Sequence, residues 1–440
     1  MNKQVVILGA GITGLNCARL LPRSLDYGIY EKENSIGGLC RTVSQDGFLF
    51  DYTGHLLHLK KPGTKTLVKT LLHGQLSAHH RNSWIYSHQT YTRYPFQANT
   101  YGLPEKVIKE CVLGFIAARI QAGPGPSDKD GFYEWVLRHF GRGIARHFMF
   151  GYNEKLWTVP VKELTAEWLG PYVPDPSVAE VVMGALLDQS KRVGYNASFY
   201  YPEYNGIQSL PDALAHKLTG IQLQEKAVKL NIHDRVVKFA SGLEIKYDRL
   251  VSSLSLQELV NMAEGLPLTV KQQASSLRYN EVLNINIGIK PALSSDKHWI
   301  YFPEKKYPFY RVGYTSNLSR HNHPAGTSSL YIEIACRAGS LARMNKHQVN
   351  RLVNKSLAYL RQVNILEQSS RIVTLNTFKI SPAYCIYDFS RTRNVTAIRS
   401  FLRKEGIYSV GRYGAWEYSA MEDALEWGRS TAEIIKRSYQ

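Results

Sequence analysis

The spacing of apolar and polar positions predicts a strand, a helix and a second strand at the start of the chain. Residues 4–8 are mostly apolar, as in a buried strand, and residues 15–21 have apolar positions at helical spacing. Residues 27–30 are predicted as a short strand that ends at an acidic residue. The turn between the first strand and the helix has the sequence G-A-G-I-T-G. This order is typical of a βαβ unit that binds a dinucleotide.

The remaining pattern predicts a helical stretch followed by a strand-rich part. Helices are predicted over residues 104–122 and 132–150, separated by the breaker cluster G-P-G-P-S at 123–127. Strands are predicted at 227–239, 247–253, 281–289, 299–302, 309–314, 329–335 and 407–410. Further helices are predicted at 344–363 and near 423–437. The pattern as a whole predicts an α/β fold with a mainly helical insertion.

Composition and charge narrow the class of protein. The chain has 440 residues, enough for two or three domains, and 44% of them are hydrophobic, as in globular proteins. The formal net charge of +18 favours anionic partners. Lys and Arg are dispersed, however, and no zinc-finger or RNP-type signature is present. We therefore expect a phosphate-bearing cofactor and substrate, and no nucleic acid.

Cysteine and histidine usage bear on the compartment and on metal binding. The five cysteines are scattered without C-x-x-C spacing, which indicates a reducing compartment. The histidines of His79-His80 and His321-x-His323 lack helical pairing and carboxylate companions, so we expect solvated side chains and no metal site. No apolar run reaches the ~18 residues of a membrane-spanning helix. We expect a cytoplasmic protein without stable membrane insertion, and its oligomeric state stays open.

The glycine-rich turn gives each of its glycines a role. Gly9 permits the tight turn, Gly11 lets a pyrophosphate approach the backbone, and Gly14 lets the helix pack closely on the strand. The N-terminus of the helix offers free N–H groups and a positive dipole to the phosphates. Glu31, at the end of the second strand, lies where a ribose hydroxyl would be bound.

A second glycine-rich segment indicates which dinucleotide to expect. S-I-G-G-L-C-R-T at residues 35–42 is followed by a hairpin-like stretch and then by Thr53-Gly54-His55. This order resembles the FAD-binding start of the glutathione-reductase-type flavoproteins, in their amine oxidase branch. The resemblance implies FAD as the cofactor and His55 near the isoalloxazine ring. The other cofactor-binding positions that it implies are Gly37, Gly38, Arg41, Val228, Gly411 and Asp423.

Four further segments interleave aromatic residues with Arg, Asn and Gln. They cover residues 93–99, 151–170, 299–311 and 411–418. Aromatic faces stack on a nucleobase, amides read its edge, and guanidinium groups bind phosphate oxygens in bidentate fashion. This inventory suits a nucleoside diphosphate, although each aromatic residue taken singly could equally belong to the core.

Taken together, these segments resemble the UDP-galactopyranose mutase family, particularly its eukaryotic-type members. The blocks Y-P-F-Q, Y-N-x-K-x-W-x-V-P, Y-F-P-E…P-F-Y-R and G-R-Y-G-x-W-x-Y carry the resemblance, which spans the chain. It implies catalytic roles for His55, Arg311 and Arg412, the two arginines also binding the substrate diphosphate. The other substrate-binding positions that it implies are Tyr94, Phe96, Gln97, Asn153, Trp157, Asn196, Tyr384 and Tyr418.

The resemblance also implies a reaction and a domain organisation. Members of the family interconvert UDP-galactopyranose and UDP-galactofuranose, a step in the biosynthesis of cell-surface polysaccharides. Reduced FAD acts through an adduct between flavin N5 and the sugar, and NADPH or NADH is the expected electron donor. The expected domains are a discontinuous Rossmann-like FAD-binding domain (1–60, 201–265 and 395–440), a mainly helical substrate-binding domain (61–200) and an antiparallel sheet domain (266–394).

Two features depart from the family pattern and keep alternatives open. Thr53 stands where the family usually has a glycine, and S-A-M-E-D at 419–423 replaces an N-Q-D-H-like stretch. The second feature is closer to amine oxidases and protoporphyrinogen oxidases, so an FAD-dependent oxidoreductase of that type is the alternative. The pair Arg311 and Arg412 discriminates, because an oxidase of an apolar substrate has little use for it. A non-catalytic nucleotide-sugar-binding protein is a third class, which the intact glycine turn disfavours.

Overall fold

The computed structural model describes residues 2–121, 131–170, 173–189 and 197–440. Its strands in chain order are β1 (Asn2–Leu8), β2 (Tyr27–Tyr30), β3 (Thr42–Gln45), β4 (Phe48–Asp51), β5 (Leu76–His80), β6 (Ser83–Ser87), β7 (Thr90–Arg93), β8 (Ser198–Pro202), β9 (Ile221–Gln222), β10 (Ala227–Asn231), β11 (Val236–Phe239), β12 (Glu244–Ser252), β13 (Ala263–Glu264), β14 (Tyr279–Lys290), β15 (Trp299–Tyr301), β16 (Arg311–Tyr314), β17 (Ser328–Arg337), β18 (Arg371–Cys385) and β19 (Ile407–Ser409).

Helices connect and cover these strands. In chain order they are α1 (Ile12–Leu20), α2 (Pro62–Leu71), α3 (Glu105–Gln121), α4 (Phe132–Ile144), α5 (Phe150–Trp157), α6 (Val178–Leu186), α7 (Ser209–Ala215), α8 (Leu256–Met262), α9 (Leu268–Ser275), α10 (Ser340–Arg343), α11 (Lys346–Gln362), α12 (Arg391–Lys404), α13 (Gly411–Gly414) and α14 (Met421–Arg437). The predicted α/β class is confirmed, and the fold contains several sheets.

The first large sheet carries the glycine-rich turn. Its strand order is β13-β10-β11-β12-β1-β2-β9, with β19 also paired to β12. Strands β12, β1, β2 and β9 run parallel, and so does β19. Strand β1 is apolar on both faces because α1 and α14 cover one side and α8, α9 and α12 contribute to the core on the other. The predicted strands at 4–8, 27–30, 247–253 and 407–410 are therefore confirmed with small shifts of their ends.

The second large sheet has the order β18-β14-β17-β16-β15-β6-β7. Its pairs are antiparallel except for β15 and β6, which run parallel. The predicted strands at 281–289, 299–302, 309–314 and 329–335 all lie in it. Strand β18 has no counterpart among the sequence predictions, and β6 and β7 come from the segment expected to be mainly helical. The division of the chain into three domains stays a prediction.

The helical segment packs around a close crossing of α3 and α4. A Cβ on Gly143 would lie 2.0 Å from the carbonyl oxygen of Glu110, so only glycine allows α4 to cross α3 here. The predicted helix over 132–150 is interrupted: Gly141 has a non-helical φ of 74°, and a wider π-type turn at Ala145–Met149 leads into α5. The breaker cluster at 123–127 lies outside the described residues.

Candidate active site

The three glycines of the first turn meet different neighbours. Gly9 has a φ of +99°, and a Cβ there would lie 2.3 Å from Ser253 Oγ. A Cβ on Gly14 would lie 2.1 Å from the carbonyl oxygen of Gly9, so helix α1 packs directly on the turn. A Cβ on Gly11 would meet only the Cα of Gly38, at 3.9 Å. The turn is therefore closed on the protein side and open at Gly11, where a diphosphate would approach the helix N-terminus.

The second glycine-rich segment lies beside the first. Gly37 and Gly38 have φ angles of +111° and +60°, and the N–H of Gly37 donates to the carbonyl of Ala10 at 2.8 Å. Arg41 donates from Nε to the carbonyl of Gly38 at 2.8 Å, and its guanidinium lies 4.6 Å from the ring centre of Tyr52. The two glycine loops and a fixed arginine thus face one space at the start of α1.

An acidic residue closes the opposite end of this space. The carboxylate of Glu31 accepts hydrogen bonds from the N–H of Ala10 at 2.8 Å and of Glu33 at 3.0 Å. Val228 on β10 is 43% exposed and lines, with Ser255 and Tyr279, an open groove of about 590 Å³. These positions fit the ribose and adenine end of an FAD molecule.

The C-terminal segment completes the set predicted for the cofactor. Gly411 has a φ of +80°, and a Cβ there would lie 3.0 Å from Thr13 Oγ1 in the first turn of α1. Asp423 caps helix α14 by accepting the N–H of Ala420 at 2.8 Å. Its carboxylate is engaged in this cap, and a contact of Asp423 with the cofactor stays a prediction.

His55 lies in the interior beside both predicted arginines. Burial, followed by the positive charges of Arg412 and Arg311, lowers the pKa of His55 to about 4, and the ring is neutral at pH 7. Within the described part of the chain, its Nδ1 has no hydrogen-bond partner. The preceding Thr53 has a φ of +96°, which is unusual for a β-branched residue.

Arg311 is fixed by a carboxylate that the sequence analysis did not single out. Its Nε and Nη2 both donate to Glu333, Nη2 at 2.8 Å, in a bidentate pair. Glu333 is 0% exposed, and the guanidinium lies 6.0 Å and 5.9 Å from the ring centres of Tyr310 and Tyr331. A guanidinium has five N–H donors, so this pairing leaves others for a ligand.

Arg412 is held by backbone oxygens and aromatic rings. Its Nη1 donates to the carbonyl of Ser419 at 2.8 Å, and its Nη2 donates to the carbonyl of Ala383 at 3.2 Å. The guanidinium lies 5.2 Å from the ring centre of Tyr384 and 5.6 Å from that of Tyr418. The structure therefore places Arg412 with the two tyrosines that were predicted to share its ligand.

An aromatic wall extends from these tyrosines. Trp157 is 0% exposed, and its ring centre lies 5.8 Å from those of both Tyr384 and Tyr418. Its indole Nε1 has no hydrogen-bond partner among the residues that the structure describes. Tyr94 belongs to a second stack, 5.2 Å from Tyr301. With 0% exposure, Trp157 packs as a core residue in this structure, and its contact with a nucleobase stays a prediction.

Three other predicted residues are more deeply engaged in the protein. Phe96 is buried and stacks on a second phenylalanine at 5.1 Å. Gln97 and Asn153 each donate their side-chain amide to a backbone carbonyl, at 2.7 Å and 2.8 Å. Their carbonyl oxygens remain as the acceptors that a ligand could use. Asn196 lies outside the described residues.

The histidine pairs differ from expectation at His79 and at His323, which is half-buried with its Nδ1 3.1 Å from the carbonyl oxygen of Pro324. His79 is partly buried and stacks on Phe199 at 5.1 Å, so the expectation of a solvated side chain is wrong for it. His80 and His321 are exposed, as predicted. Over residues 2–121, 131–170, 173–189 and 197–440, no group of three metal-ligating side chains is found. In the same residues, no helix has the length and apolar character needed to cross a membrane.

The sequence as a whole matches the model of one protein family. The model of the flavin containing amine oxidoreductases covers residues 12–436. The chain belongs to this family. It is thus an FAD-dependent flavoprotein, in agreement with the cofactor predicted from the glycine-rich segments.

Several solved structures share the fold of this member of the family. A reduced UDP-galactopyranose mutase is 26% identical, with a TM-score of 0.89 over 99% of this chain and 95% of that chain. A protoporphyrinogen oxidase, so described provisionally, from Exiguobacterium is 16% identical, with a TM-score of 0.76 over 99% of both chains. Cyclohexylamine oxidase from Brevibacterium oxydans is 14% identical, with a TM-score of 0.70 over 100% of both chains. The two oxidases show the shared fold alone.

Three buried carboxylates of this chain have no counterpart among the predicted site residues. Glu333 pairs with Arg311, Asp51 accepts three hydrogen bonds, and Glu422 accepts the backbone N–H groups of residues 60 and 61 at 2.9 Å and 2.8 Å. A signal exists for Glu333, which interrupts an otherwise apolar strand. A charge at such a position indicates a buried partner.

Proposed function

We propose that the chain is a mutase that interconverts UDP-galactopyranose and UDP-galactofuranose, or a closely related nucleotide sugar. The observation that carries the proposal is that the guanidinium of Arg412 lies 5.2 Å and 5.6 Å from the ring centres of Tyr384 and Tyr418, in the same region as Arg311 and His55. Two cations in one poorly hydrated site suit a diphosphate. The likeness to a reduced UDP-galactopyranose mutase, at 26% identity over nearly the whole chain, supports the same reaction.

The residues around the glycine turns fit FAD. The open side of Gly11, the free N–H groups of α1 and the carboxylate of Glu31 match a diphosphate and a ribose. Reduced FAD, when bound, supplies the nucleophile for the anomeric carbon of the sugar. The proposed electron donor is NADPH or NADH. The proposed cofactor contacts are Gly9, Gly11, Gly14, Glu31, Gly37, Gly38, Arg41, Val228, Gly411 and Asp423.

The two arginines bind the diphosphate of the substrate in this proposal. They stabilise the negative charge that develops when UDP leaves, and they keep UDP in place until it re-forms its bond to the sugar. Glu333 holds the guanidinium of Arg311 in one orientation, which reduces the reorganisation that the step requires. Tyr384 and Tyr418 lie against Arg412 and offer hydroxyl groups to the same phosphates.

The neutral His55 has a different role. A charged imidazole would add a third cation, whereas the neutral ring can donate or accept a hydrogen bond through the unpartnered Nδ1. We propose that this nitrogen contacts the flavin on the face opposite the sugar. Uridine would be held by Tyr94, Phe96, Gln97, Asn153 and Trp157, with Asn196 on the sugar side.

A second candidate function is an FAD-dependent oxidoreductase of the amine oxidase or protoporphyrinogen oxidase type. The observation that favours it is the S-A-M-E-D stretch at residues 419–423. The carboxylate of Glu422 in this stretch accepts two backbone N–H groups and so does not face a ligand. Arg412 opposes this candidate function, because Arg311 is already paired with Glu333 and a cationic or apolar substrate would leave the guanidinium charge of Arg412 without an anionic partner.

The test is a turnover assay with the purified flavoprotein. The protein is reduced with dithionite, incubated with UDP-galactofuranose, and the products are separated by anion-exchange chromatography. We expect conversion to UDP-galactopyranose by the reduced protein and none by the oxidised protein. Arg311→Ala and Arg412→Ala should each lower kcat/KM by roughly 100-fold or more, the loss typical of a removed charge-stabilising donor. Replacing dithionite with NADPH or NADH identifies the electron donor.

The matched control is Arg23→Ala, which removes an exposed arginine outside the site and should leave turnover unchanged. Absence of turnover, absence of UDP binding and an Arg412→Ala variant indistinguishable from the parent would together reject the mutase. Oxygen consumption with an amine substrate under the same conditions would instead support the oxidoreductase.

A further inference from the structure

Asp51 is a buried carboxylate that joins three parts of the chain. It is the last residue of β4 and is 4% exposed. Its carboxylate accepts hydrogen bonds from Thr42 Oγ1 at 2.6 Å, from the hydroxyl of Tyr201 at 2.7 Å and from the N–H of Ile207 at 3.3 Å. These donors belong to β3, to β8 and to the turn before α7, and the last two lie 150 and 156 positions after Asp51.

The backbone of the same residue leads directly to His55. The carbonyl of Asp51 accepts the N–H of Thr53 at 2.9 Å, and the carbonyl of Thr53 accepts the N–H of His55 at 3.0 Å. The residue between these bonds has a φ of +96°, a conformation that a threonine keeps only when its surroundings enforce it. Two consecutive hydrogen bonds therefore tie the position of His55 to the anchored carboxylate.

The anchor also extends into the second sheet. The hydroxyl of Tyr201 accepts the side-chain amide of Asn322 at 3.3 Å, and the carbonyl of Asn322 accepts the N–H of Leu49 at 2.9 Å. Asn284 of β14 donates to the carbonyl of Asp51 at 3.4 Å. The hairpin that carries Asp51 is thus held by β8, by the segment that contains Asn322 and by β14 of the second large sheet.

A buried carboxylate is costly unless its surroundings compensate for lost water. Burial raises the pKa of Asp51 to about 6, and the three donors act in the opposite direction. No ion pair to this carboxylate is found within the described ranges, so its compensation comes from hydrogen bonds. An alanine at this position would leave three donors without their acceptor.

We propose that Asp51 is a positioning residue that fixes the turn carrying His55 through the hydrogen bonds of its carboxylate and carbonyl. The inference rests on the proposed function only in taking His55 to face the flavin. The geometry of the turn itself is independent of which substrate the protein binds. Removal of the carboxylate should therefore disturb His55 before it disturbs distant parts of the fold.

The test is the titration of His55, followed by NMR on protein with labelled histidine and assigned by the loss of one signal in His55→Gln. In the parent protein we expect a pKa near 4. In Asp51→Ala the pKa should rise toward the ordinary value of 6.5, because the released turn exposes the ring to water. Asp51→Asn keeps the shape and one acceptor oxygen, so it should retain a lowered pKa.

Two further variants keep the test decisive. Tyr201→Phe removes one donor and should move His55 in the same direction by a smaller amount, which covers the case in which Asp51→Ala does not fold. Leu360→Ala removes a buried leucine of α11 and supplies a matched loss of stability far from the turn. The proposal is overturned if Asp51→Ala and Tyr201→Phe leave the titration unchanged, or if Leu360→Ala shifts it equally.

The absorbance spectrum of the bound flavin gives a second readout. We expect its bands to shift in Asp51→Ala and not in Leu360→Ala. The titration is measured on protein without substrate and can be repeated without FAD. The positioning role of Asp51 can therefore be tested even if the protein lacks mutase activity. Either the mutase proposal or the proposal about Asp51 can be rejected without the other.

Discussion

Thr53 combines a β-branched side chain with a φ of +96°. It lies two residues from Asp51 and two residues from His55. A positive φ costs a β-branched residue on the order of 1–3 kcal/mol, whereas glycine adopts it freely. Glycine also raises the conformational entropy of the unfolded chain, which offsets up to about 1 kcal/mol of the stability gained by relieving the positive φ. We expect Thr53→Gly to raise the free energy of unfolding by about 1 kcal/mol, measured by urea denaturation.

The control for this prediction is a threonine in ordinary backbone conformation. Thr396 is exposed within helix α12, where glycine is less favourable than threonine by roughly a few tenths of a kcal/mol. Thr396→Gly should therefore lower stability slightly. If both variants lower stability, the positive φ at Thr53 carries no strain that glycine can release.

Single residues also show where sequence reasoning reaches its limit. The glycines could be assigned from their order alone, because a turn, a close approach and a close packing each exclude a side chain. The pairing of Arg311 with Glu333 could not be assigned, since both residues lie on neighbouring strands whose register is set by the whole sheet. The local sequence pattern shows that a charged residue is present in the strand but does not show which residue it pairs with.

At the scale of elements, the first βα unit separates packing from ligand binding. A Cβ at position 14 would lie 2.1 Å from the carbonyl oxygen of Gly9, whereas a Cβ at position 11 would meet its nearest neighbour at 3.9 Å. Gly14→Ala should therefore destabilise the fold by roughly 2 kcal/mol or more, as overpacking does. Gly11→Ala should leave stability within about 1 kcal/mol but raise the dissociation constant for FAD roughly tenfold, equal to about 1.4 kcal/mol.

The two measurements are urea denaturation of the FAD-free protein and titration of that protein with FAD. Each variant serves as the control of the other, because the same methyl group is added at positions only three residues apart. The assignment of Gly11 to the cofactor is wrong if Gly11→Ala binds FAD as tightly as the parent protein. The packing argument is wrong if Gly14→Ala unfolds at the same urea concentration.

Elements that pair over long distances explain what the sequence did not predict. Strand β6 pairs with β15, more than 200 positions later, and β18 pairs with β14 across the helix α11. Strand β18 also contains many half-exposed positions, so its alternation is weak. Strand β1 has a continuous apolar run, because burial on both faces leaves a strong local signal, and β14 has Ile alternating with Asn and Gly, so both are visible in the local pattern.

At the scale of the whole molecule, three histidines lie between the N-terminal segment that contains the glycine-rich loops and the second large sheet. Burial lowers the pKa of His55, His58 and His298 to about 4 from an ordinary 6.5. His58 and His298 flank Phe199, with ring centres at 6.1 Å and 5.1 Å. All three rings are neutral in the folded protein at pH 7, and protonation of any of them requires that a charge be placed in the interior.

The direction of the resulting pH dependence follows from these values. A group whose pKa is lower in the folded protein contributes stability above its unfolded pKa of 6.5, and this contribution is lost as the pH falls toward 4. Asp51 acts oppositely, because its pKa is raised from 3.8 to about 6. As the pH falls, the three histidines lose their contribution to stability and Asp51 gains one. Because the three losses together exceed the one gain, we predict that the protein becomes less stable between pH 6.5 and 4.

We therefore expect the free energy of unfolding to fall between pH 7 and pH 5 by a few kcal/mol, each histidine contributing up to about 2 kcal/mol at pH 5. Urea denaturation of the FAD-free protein at a series of pH values measures it. His58→Asn and His298→Asn should each flatten the dependence. His347→Asn, which replaces an exposed histidine of α11, should leave it unchanged. Equal slopes in all three variants would show that the acid sensitivity arises elsewhere, because removing a titrating group must remove its share of the proton uptake.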